Sequence, residues 1–165
     1  MKQILFVLAL YAIIAGCSTG ATVQSSGKLK GKTIGMVPIS VSFEKKPKKF
    51  NLSDSLYAAI AQSTKEALIP YLQQAGFKVI DLPLAYNASM DEAIKAAEAS
   101  KAEYIFTGAG MADATGKSLF MHKLNVRLIS LTTSEIAISG SFSGAGVFIN
   151  GAAERVGKQI VKKMQ

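Results

Sequence analysis

An apolar run of 12 residues, from Ile4 to Ala15, lies near the start of this 165-residue chain behind the positive charge of Lys2. A positive start, a short apolar run and small residues are the three parts of a secretory signal. The run is too short for a membrane-spanning helix, which needs about 20 apolar residues. Export delivers a chain to an oxidising compartment, yet Cys17 is the only cysteine. No disulfide can therefore form within the chain, and burial of apolar side chains has to hold the fold.

Residues 14–17 read Ile-Ala-Gly-Cys and close the apolar run. This tetrapeptide resembles the lipobox of bacterial lipoproteins, in which the signal is cut before the cysteine and the thiol receives acyl chains such as palmitate. The resemblance implies that residues 1–16 are a signal peptide and that Cys17 is the lipidated first residue of the mature chain. An Asp after the cysteine would imply the inner membrane, whereas Ser18 implies the periplasmic face of the outer membrane. An ordinary soluble-export signal that contains a cysteine is the alternative.

The mature part is basic. The chain has 19 basic and 11 acidic side chains, and of these only Lys2 precedes Cys17, so residues 17–165 keep a net charge of about +7. Such a balance favours anionic partners. For an exported lipoprotein these are phospholipid or lipopolysaccharide headgroups, cell-wall polymer or an acidic protein face, and not nucleic acid.

Residues 17–32 are rich in Ser, Thr, Gly and Lys and have few apolar groups to offset the entropy of ordering them. They predict a flexible lipidated tether with a reach of about 20 Å. A regular apolar pattern begins at Thr33 and predicts one α/β domain over residues 33–165.

Within that domain, apolar runs predict strands at Ile34–Ile39, Phe77–Leu82 and Tyr104–Gly108. A polar, lysine-rich loop is expected at Val41–Phe50, followed by a helix that Asn51 or Ser53 caps. That helix contains Pro70, which should kink it or start a new turn, and leaves through a left-handed Gly76. The sequence from Ser89 to Glu92 is a capping box and predicts a second helix that ends near Lys101.

The last third of the chain predicts a β-hairpin and a closing helix. Phe120, His122, Leu124, Val126 and Leu128 alternate with Met121, Lys123, Asn125 and Arg127, and Ile136–Phe142 alternates in the same way. Asn150 caps the closing helix. The order β-α-β-α-β-β-β-α predicts a mixed α/β fold of the three-layer type, in which helices pack on a mixed sheet.

The candidate catalytic motifs do not fit their chemistry. Gly110–Ser118 resembles a phosphate loop, but five residues separate its glycines and a strand follows it, so a tight connection between strands is expected. Gly140–Gly144 superficially resembles a nucleophile elbow but lies in a predicted strand. His122 is the only histidine and is interpreted as structural, while Asp113 has no recognisable partner. We expect no catalytic residues, no metal site and no cofactor.

The densest charge lies at Lys45, Lys46, Lys48 and Lys49, around Pro47. A solvated mobile loop is one interpretation. A docking loop for anionic headgroups or an acidic partner is the other, at about 1 kcal/mol per lysine on an anionic membrane.

Four segments, at residues 32–38, 72–80, 102–108 and 124–136, resemble a superfamily of exported bacterial proteins. It comprises the amino-terminal domain of TolB, the curli-secretion lipoprotein CsgG and LpoB-type activators of penicillin-binding proteins. The resemblance implies a non-enzymatic protein-interaction module whose partner is an envelope protein, such as a cell-wall synthase or a secretion component, with oligomers possible.

Secretion-pore members of this superfamily carry long hairpins that enter the membrane, whereas the hairpin here presents Lys123, Asn125 and Arg127 outward. This face is unsuited to lipid, so a compact tethered accessory domain is expected. The alternatives are a subunit of a CsgG-like export complex, a small cell-wall-acting enzyme and a small-ligand carrier.

Overall fold

The computed structural model describes residues 20–25, 29–44, 52–115 and 118–165. The predicted signal peptide, Cys17 and the four lysines at 45–49 lie outside these ranges. The elements are β1 Gly20–Ser25, β2 Thr33–Met36, β3 Ser40–Phe43, α1 Asp54–Gln74, β4 Lys78–Asp81, α2 Met90–Ala99, β5 Tyr104–Thr115, β6 Ser118–Ser130, β7 Ile136–Phe148 and α3 Ile149–Met164.

The strands form one mixed sheet of seven strands, in the order β1-β7-β6-β5-β2-β4, with β3 also paired to β5. Strand β2 pairs in parallel with β4 and with β5, and β3 also pairs in parallel with β5. Strands β6, β7 and β1 add antiparallel pairings. The predicted α/β fold with a mixed sheet is therefore confirmed.

Helices cover the two faces of the sheet unequally. Helices α1 and α3 pack side by side on one face, where Ser63 of α1 donates a hydrogen bond of 2.8 Å to Asn150 at the start of α3. Helix α2 alone packs on the other face, against β5. The larger core, between the sheet and α1 and α3, includes Ile34, Leu68, Phe106, Phe142 and Val156, and the smaller one, beneath α2, consists of Val37, Leu82, Ala93, Ala97 and Ile105.

The predicted boundaries of α1 and α2 agree with the structure, whereas the prediction that Asn150 caps the closing helix is wrong. Helix α3 begins at Ile149, no side chain of the described residues caps it, and the Asn150 side chain accepts the hydrogen bond from Ser63 instead. The Ser53 side chain accepts a hydrogen bond from the Leu56 amide and caps α1, and Ser89 and Glu92 form both bonds of a capping box. Helix α1 continues past Pro70 to Gln74, so the proline does not end it. Gly76 leaves the helix with φ +95°, the left-handed conformation that glycine adopts without a steric penalty. Within the described ranges, no helix has the length and apolar character that a membrane span requires.

The prediction of an unstructured tether over residues 17–32 is wrong for Gly20–Ser25. These six residues form β1, which pairs antiparallel with β7 and places Ala21 and Val23 against the larger core. Leu29 is also buried. This strand was not predicted because Ser, Thr, Gln and Gly occupy its other positions, and such a composition is also typical of a flexible tether. An edge strand with one solvated face needs apolar residues only at alternate positions.

The predicted loop over Val41–Phe50 is wrong for its first three residues, which belong to β3. Val41 is buried between the exposed Ser40 and Ser42. The hydroxyls of these two serines donate to the carbonyl oxygens of Gly108 and Gly110, and β3 pairs with Ala109–Ala112 of β5. Strands β2 and β3 thus share one edge of β5, separated by residues 37–39.

The segment from Gly110 to Ser118 is mostly strand, so the predicted tight connection between the two strands is shorter than expected. Strand β5 continues to Thr115 and β6 begins at Ser118. Its small residues leave room for side chains of the neighbouring strand β6, which approach the backbone of β5 closely. A Cβ atom on Gly110, for example, would lie 2.9 Å from Cε of Met121.

His122 interrupts the predicted alternation of β6. It is the extra residue in the pairing of β6 with β5, since Met121 pairs with Ala112 and Lys123 pairs with Met111. On the other side the extra residues belong to β7, where residues 144–146 separate the partners of Met121 and Lys123. Such a bulge reverses which face successive side chains occupy. Met121 is consequently buried with Leu124, which corrects the expectation that it faces outward.

Candidate interaction surface

Half of one sheet face carries no helix in the part of the chain that the structure describes. Helix α2 covers Ile105 near the start of β5, and the same face of β6, β7 and β1 lies open. We call this half the open sheet face. It carries mainly polar side chains at alternate strand positions: Thr22, Gln24, Thr107, Ala109, Lys123, Asn125, Arg127, Ser139, Ser141 and Ser143.

The strand period explains this chemistry. Leu124, Val126 and Leu128 of β6 are fully buried towards α1 and α3, so the residues between them point to the other side. The alternation of Lys123, Asn125 and Arg127 predicted this outward face. The matching polar face of β1 was not predicted, because that strand was missed.

The centre of the open sheet face is a depression of about 390 Å³ around Asn125 and Arg127. Arg127 lies between Thr107 and Ser139 in the cross-strand register, and Asn125 lies between Ala109 and Ser141. Small side chains on both sides leave the amide and the guanidinium accessible. Arg and Asn are groups that recognise carboxylates and backbone amides of a partner.

Hydroxyl groups form a cross-strand pair on β1 and β7, the outer strands of the open sheet face. The hydroxyls of Thr22 and Ser141 lie 3.0 Å apart across β1 and β7. Cross-strand pairs of this kind stabilise a sheet by about 0.2–1 kcal/mol each. They also keep polar groups on the side of β1 and β7 that faces away from α3.

Asp113 and His122 are brought together at one end of the sheet. Oδ2 of Asp113 lies 3.2 Å from Nε2 of His122, and each side chain is 31% exposed. The two groups are close but poorly aligned, since neither Nε2 nor the buried Oδ1 of Asp113 has a hydrogen-bond partner. His122 is half-buried, and the expectation that Asp113 has no partner is wrong.

No three His, Cys, Asp or Glu side chains form a group that could hold a metal ion within the described ranges. The absence of a cofactor and of catalysis stays a prediction. Gly140–Gly144, set aside as a nucleophile elbow, lies within β7.

Two ion pairs stabilise the opposite half of the sheet. Nζ of the buried Lys65 in α1 lies 2.5 Å from Oδ1 of Asp81 at the end of β4. Nζ of Lys32 donates to Oε1 of Glu103 at 2.6 Å, and the Thr33 amide donates to Oε2. The hydrogen bonds from Lys32 and Thr33 lower the pKa of Glu103, and Glu103 raises the pKa of Lys32.

An aromatic group lies at the start of α1. The Tyr57 ring stacks on Tyr86 with centroids 6.0 Å apart and meets Phe43 edge-on at 5.7 Å. The Tyr86 hydroxyl donates to Asp54, and this hydrogen bond raises the pKa of Tyr86. Sequence reasoning missed Tyr86 because it lies in an irregular segment without periodicity.

No family model matches this sequence, and no curated protein matches it. Solved structures do match. The PelC dodecamer from Paraburkholderia phytofirmans has a TM-score of 0.58 at 14% identity, over 88% of this chain and 96% of that chain. The LpoB C-terminal domain from Escherichia coli has a TM-score of 0.52 at 16% identity, over 74% of this chain and 87% of that chain.

At these identities the likeness shows a shared fold and nothing further. The predicted resemblance to LpoB is thereby confirmed at the level of fold. The TolB and CsgG parts of that resemblance stay predictions, as do the lipidation of Cys17 and the role of the four lysines.

Proposed function

We propose that this chain is a non-enzymatic interaction and assembly module of a bacterial cell envelope, held at the periplasmic face of the outer membrane by lipid on Cys17. The open sheet face is the observation that carries the proposal. It is an accessible, mainly polar surface with basic groups on rigid strands, and strands position side chains more accurately than loops do. The fold shared with the LpoB C-terminal domain supports the same class of role.

The chemistry of the open sheet face favours a protein partner. Lys123 and Arg127 supply positive charge, Asn125 supplies donors and acceptors, and the serines supply further hydrogen bonds. An acidic, hydrogen-bonding surface of an envelope protein complements such a face, and charge complementarity raises both specificity and the rate of association. A cell-wall synthase or a secretion component is the class of partner that we propose.

A photocrosslinking amino acid tests this surface in living bacteria. At position 125 it lies in the centre of the open sheet face, and at position 162 it lies on the exposed side of α3 as the matched control. We expect a discrete crosslinked envelope protein at 125 and none at 162. Equal crosslinking at both positions, or none at either, would contradict the assignment of this face.

The lipid anchor has a separate test. Mass spectrometry of the mature protein should find acyl groups on Cys17, and Cys17→Ser should leave an unprocessed precursor. An unmodified amino terminus further downstream would show that the lipoprotein interpretation is wrong. Turnover of a cell-wall substrate that Asp113→Asn or His122→Gln abolishes would overturn the non-enzymatic role.

A homo-oligomeric assembly is the second candidate, corresponding to the alternative of an export-complex subunit. PelC, whose fold this chain shares, was solved as a dodecamer. The edge strand β1 pairs with only one neighbour among the described elements, so it leaves unpaired backbone groups for a further subunit. Native mass spectrometry of the lipidated protein in detergent measures the number of copies, and a monomer at all concentrations would exclude this candidate.

A further inference from the structure

Phe148 is a large apolar side chain that the fold holds out into solvent. It is 66% exposed, more than Ile136 or Met90, the other exposed large apolar residues of the described ranges. Its ring stacks on Phe120 with centroids 5.2 Å apart. Phe148 ends β7 and immediately precedes α3, so its backbone is fixed on both sides. We call the end of the sheet that carries these two rings the aromatic end.

Strand β1 starts towards the aromatic end. Gly20, its first residue, pairs with Ser143 of β7. Ser143 in turn pairs with Lys123 of β6, and Phe148 pairs with Phe120. Three residues of β6 therefore separate the level of Gly20 from the level of Phe148, a distance of about 10 Å along the strand.

The reach of the chain before Gly20 is limited. Cys17 precedes Gly20 by three residues, which span at most about 11 Å when fully extended. A lipid on Cys17 therefore holds the bilayer surface within that distance of Gly20. With the strands normal to the bilayer, a fully extended segment directed along β1 brings Cys17 only to the level of Phe148, and any shorter path places Phe148 deeper in the membrane than Cys17.

We infer that the aromatic end is a membrane-docking surface, and that its partner is the phospholipid surface in which the Cys17 lipid is anchored. This inference rests on the proposed lipidation. Aromatic side chains are favoured at the boundary between headgroups and acyl chains, where apolar groups of an interfacial segment lie about 5–10 Å deep. Lys123, at the level of Gly20, lies where it meets anionic headgroups.

This docking fixes the orientation of the domain. The strand axes run roughly perpendicular to the membrane, and the turn between β6 and β7 lies at the end of the sheet far from the membrane. The open sheet face is then parallel to the membrane normal and accessible to partners in the periplasm. The two surfaces adjoin at Lys123, because the aromatic end uses the ends of β6 and β7 and the open sheet face uses their middle.

The chain contains no tryptophan, so one introduced tryptophan is a unique fluorescent probe. The informative variant is Phe148→Trp, and the matched control is Ile136→Trp. Ile136 is also apolar and exposed and lies on the same strand, but its partner Ile129 is nine residues of β6 away from Phe120, about 30 Å. Each lipidated full-length variant is reconstituted into vesicles of phosphatidylethanolamine and phosphatidylglycerol, with and without bromine on the acyl chains.

We expect brominated lipid to quench most of the Phe148→Trp emission and to leave the Ile136→Trp emission nearly unchanged. Absence of quenching at 148, or equal quenching at both positions, would overturn the inference. A blue-shifted emission at 148 that brominated lipid does not quench would also overturn it, since that result means burial against protein, such as a second copy. Circular dichroism of both variants checks that they are folded.

Vesicle flotation and mass spectrometry separate this inference from the proposed anchoring. A protein that floats with acylated Cys17 but shows no quenching at 148 retains the lipid anchor and loses only the docking surface. A protein that carries no acyl group and does not float loses both.

Discussion

Gly157 of α3 faces the ring of Tyr71 in α1 so closely that a Cβ atom at position 157 would lie 2.5 Å from Cγ and from Cδ2 of that ring. Real Cβ atoms do not approach other heavy atoms at this distance. The contact sets how near the two helices lie over the larger core, in which Val156 and Ile160 are fully buried. The absence of a side chain at 157 is therefore a packing requirement of this helix pair.

We expect Gly157→Ala to destabilise the domain. Alanine is favoured over glycine in a helix by about 1 kcal/mol, but the new Cβ atom would also lie 2.8 Å from Cβ of Tyr71, next to the backbone, and such overpacking costs about 1–3 kcal/mol. The midpoint of urea unfolding, followed by circular dichroism, should fall.

Gly151→Ala is the matched control in the same helix. A Cβ atom there would lie 3.5 Å from Val147, which is ordinary contact. This variant should be as stable as the original chain or slightly more so. An equal effect of the two substitutions would mean that the Tyr71 contact does not limit helix packing.

The two ends of α1 and the start of α2 were predictable from the sequence because their signals are local, whereas the predicted cap of α3 at Asn150 was wrong. Ser53, Ser89 with Glu92, and Gly76 each act within a few residues of their own position. Strand β1 was not predictable in this way. Thr22 and Gln24 are compatible with a solvated tether, and only the edge of β7, more than 100 residues later, gives them a sheet to join.

The candidate site shows the same division. Outward-facing Asn125 and Arg127 follow from the period of β6, which holds from Leu124 onward. The contact between Asp113 and His122 does not follow, because it depends on a bulge that shifts the register by one residue. A single extra residue in a strand does not change the composition and cannot be recognised from it. Residues before the bulge, such as Met121, are therefore assigned to the wrong face of the sheet.

The buried ammonium of Lys65 depends on Asp81. Its side chain is only 4% exposed, and Asp81 is its ion-pair partner. Asp81→Ala should reduce the free energy of unfolding by about 1.5–3 kcal/mol, the range for hydrogen bonds to charged groups, because it leaves the ammonium buried and unpaired. Urea unfolding at neutral pH measures the loss.

A second substitution tests that explanation. Lys65→Met replaces the ammonium by an apolar side chain of similar length, and buried ion pairs are often replaced in this way with little loss. The double variant Lys65→Met/Asp81→Ala should therefore be more stable than Asp81→Ala alone. If it is less stable, the cost of Asp81→Ala does not come from the unpaired charge.

Glu103 should contribute to the pH dependence of stability. Hydrogen bonds from Lys32 and the Thr33 amide lower its pKa in the folded protein below the ordinary value of 4.5. A carboxyl whose folded pKa is lowered contributes stability that is present above 4.5 and is lost as the pH falls through the folded pKa. We therefore expect Glu103→Gln to flatten the acid limb of a plot of melting temperature against pH.

Glu98→Gln is the control for that measurement, since Glu98 is exposed on α2. It should leave the acid limb unchanged. The same ion pair raises the pKa of Lys32, so its contribution is present below the ordinary value of 10.5 and is lost as the pH rises through the folded pKa. An acid limb that Glu103→Gln does not alter would contradict the role of this pair.

A docking loop for an anionic partner is one of the two interpretations of the lysines at 45, 46, 48 and 49, and it can be tested. Replacing all four with Glu should weaken capture of the envelope protein that crosslinks to position 125 and should reduce the dependence of capture on salt, since exposed charges are screened within about 8–10 Å at physiological ionic strength. The free energy of unfolding should change by no more than about 0.5 kcal/mol, as expected for surface positions.

Because the open sheet face supplies its own positive charge at Lys123 and Arg127, some capture should persist. Unchanged capture at every salt concentration would exclude the four lysines from the interface and leave the open sheet face as the site of binding.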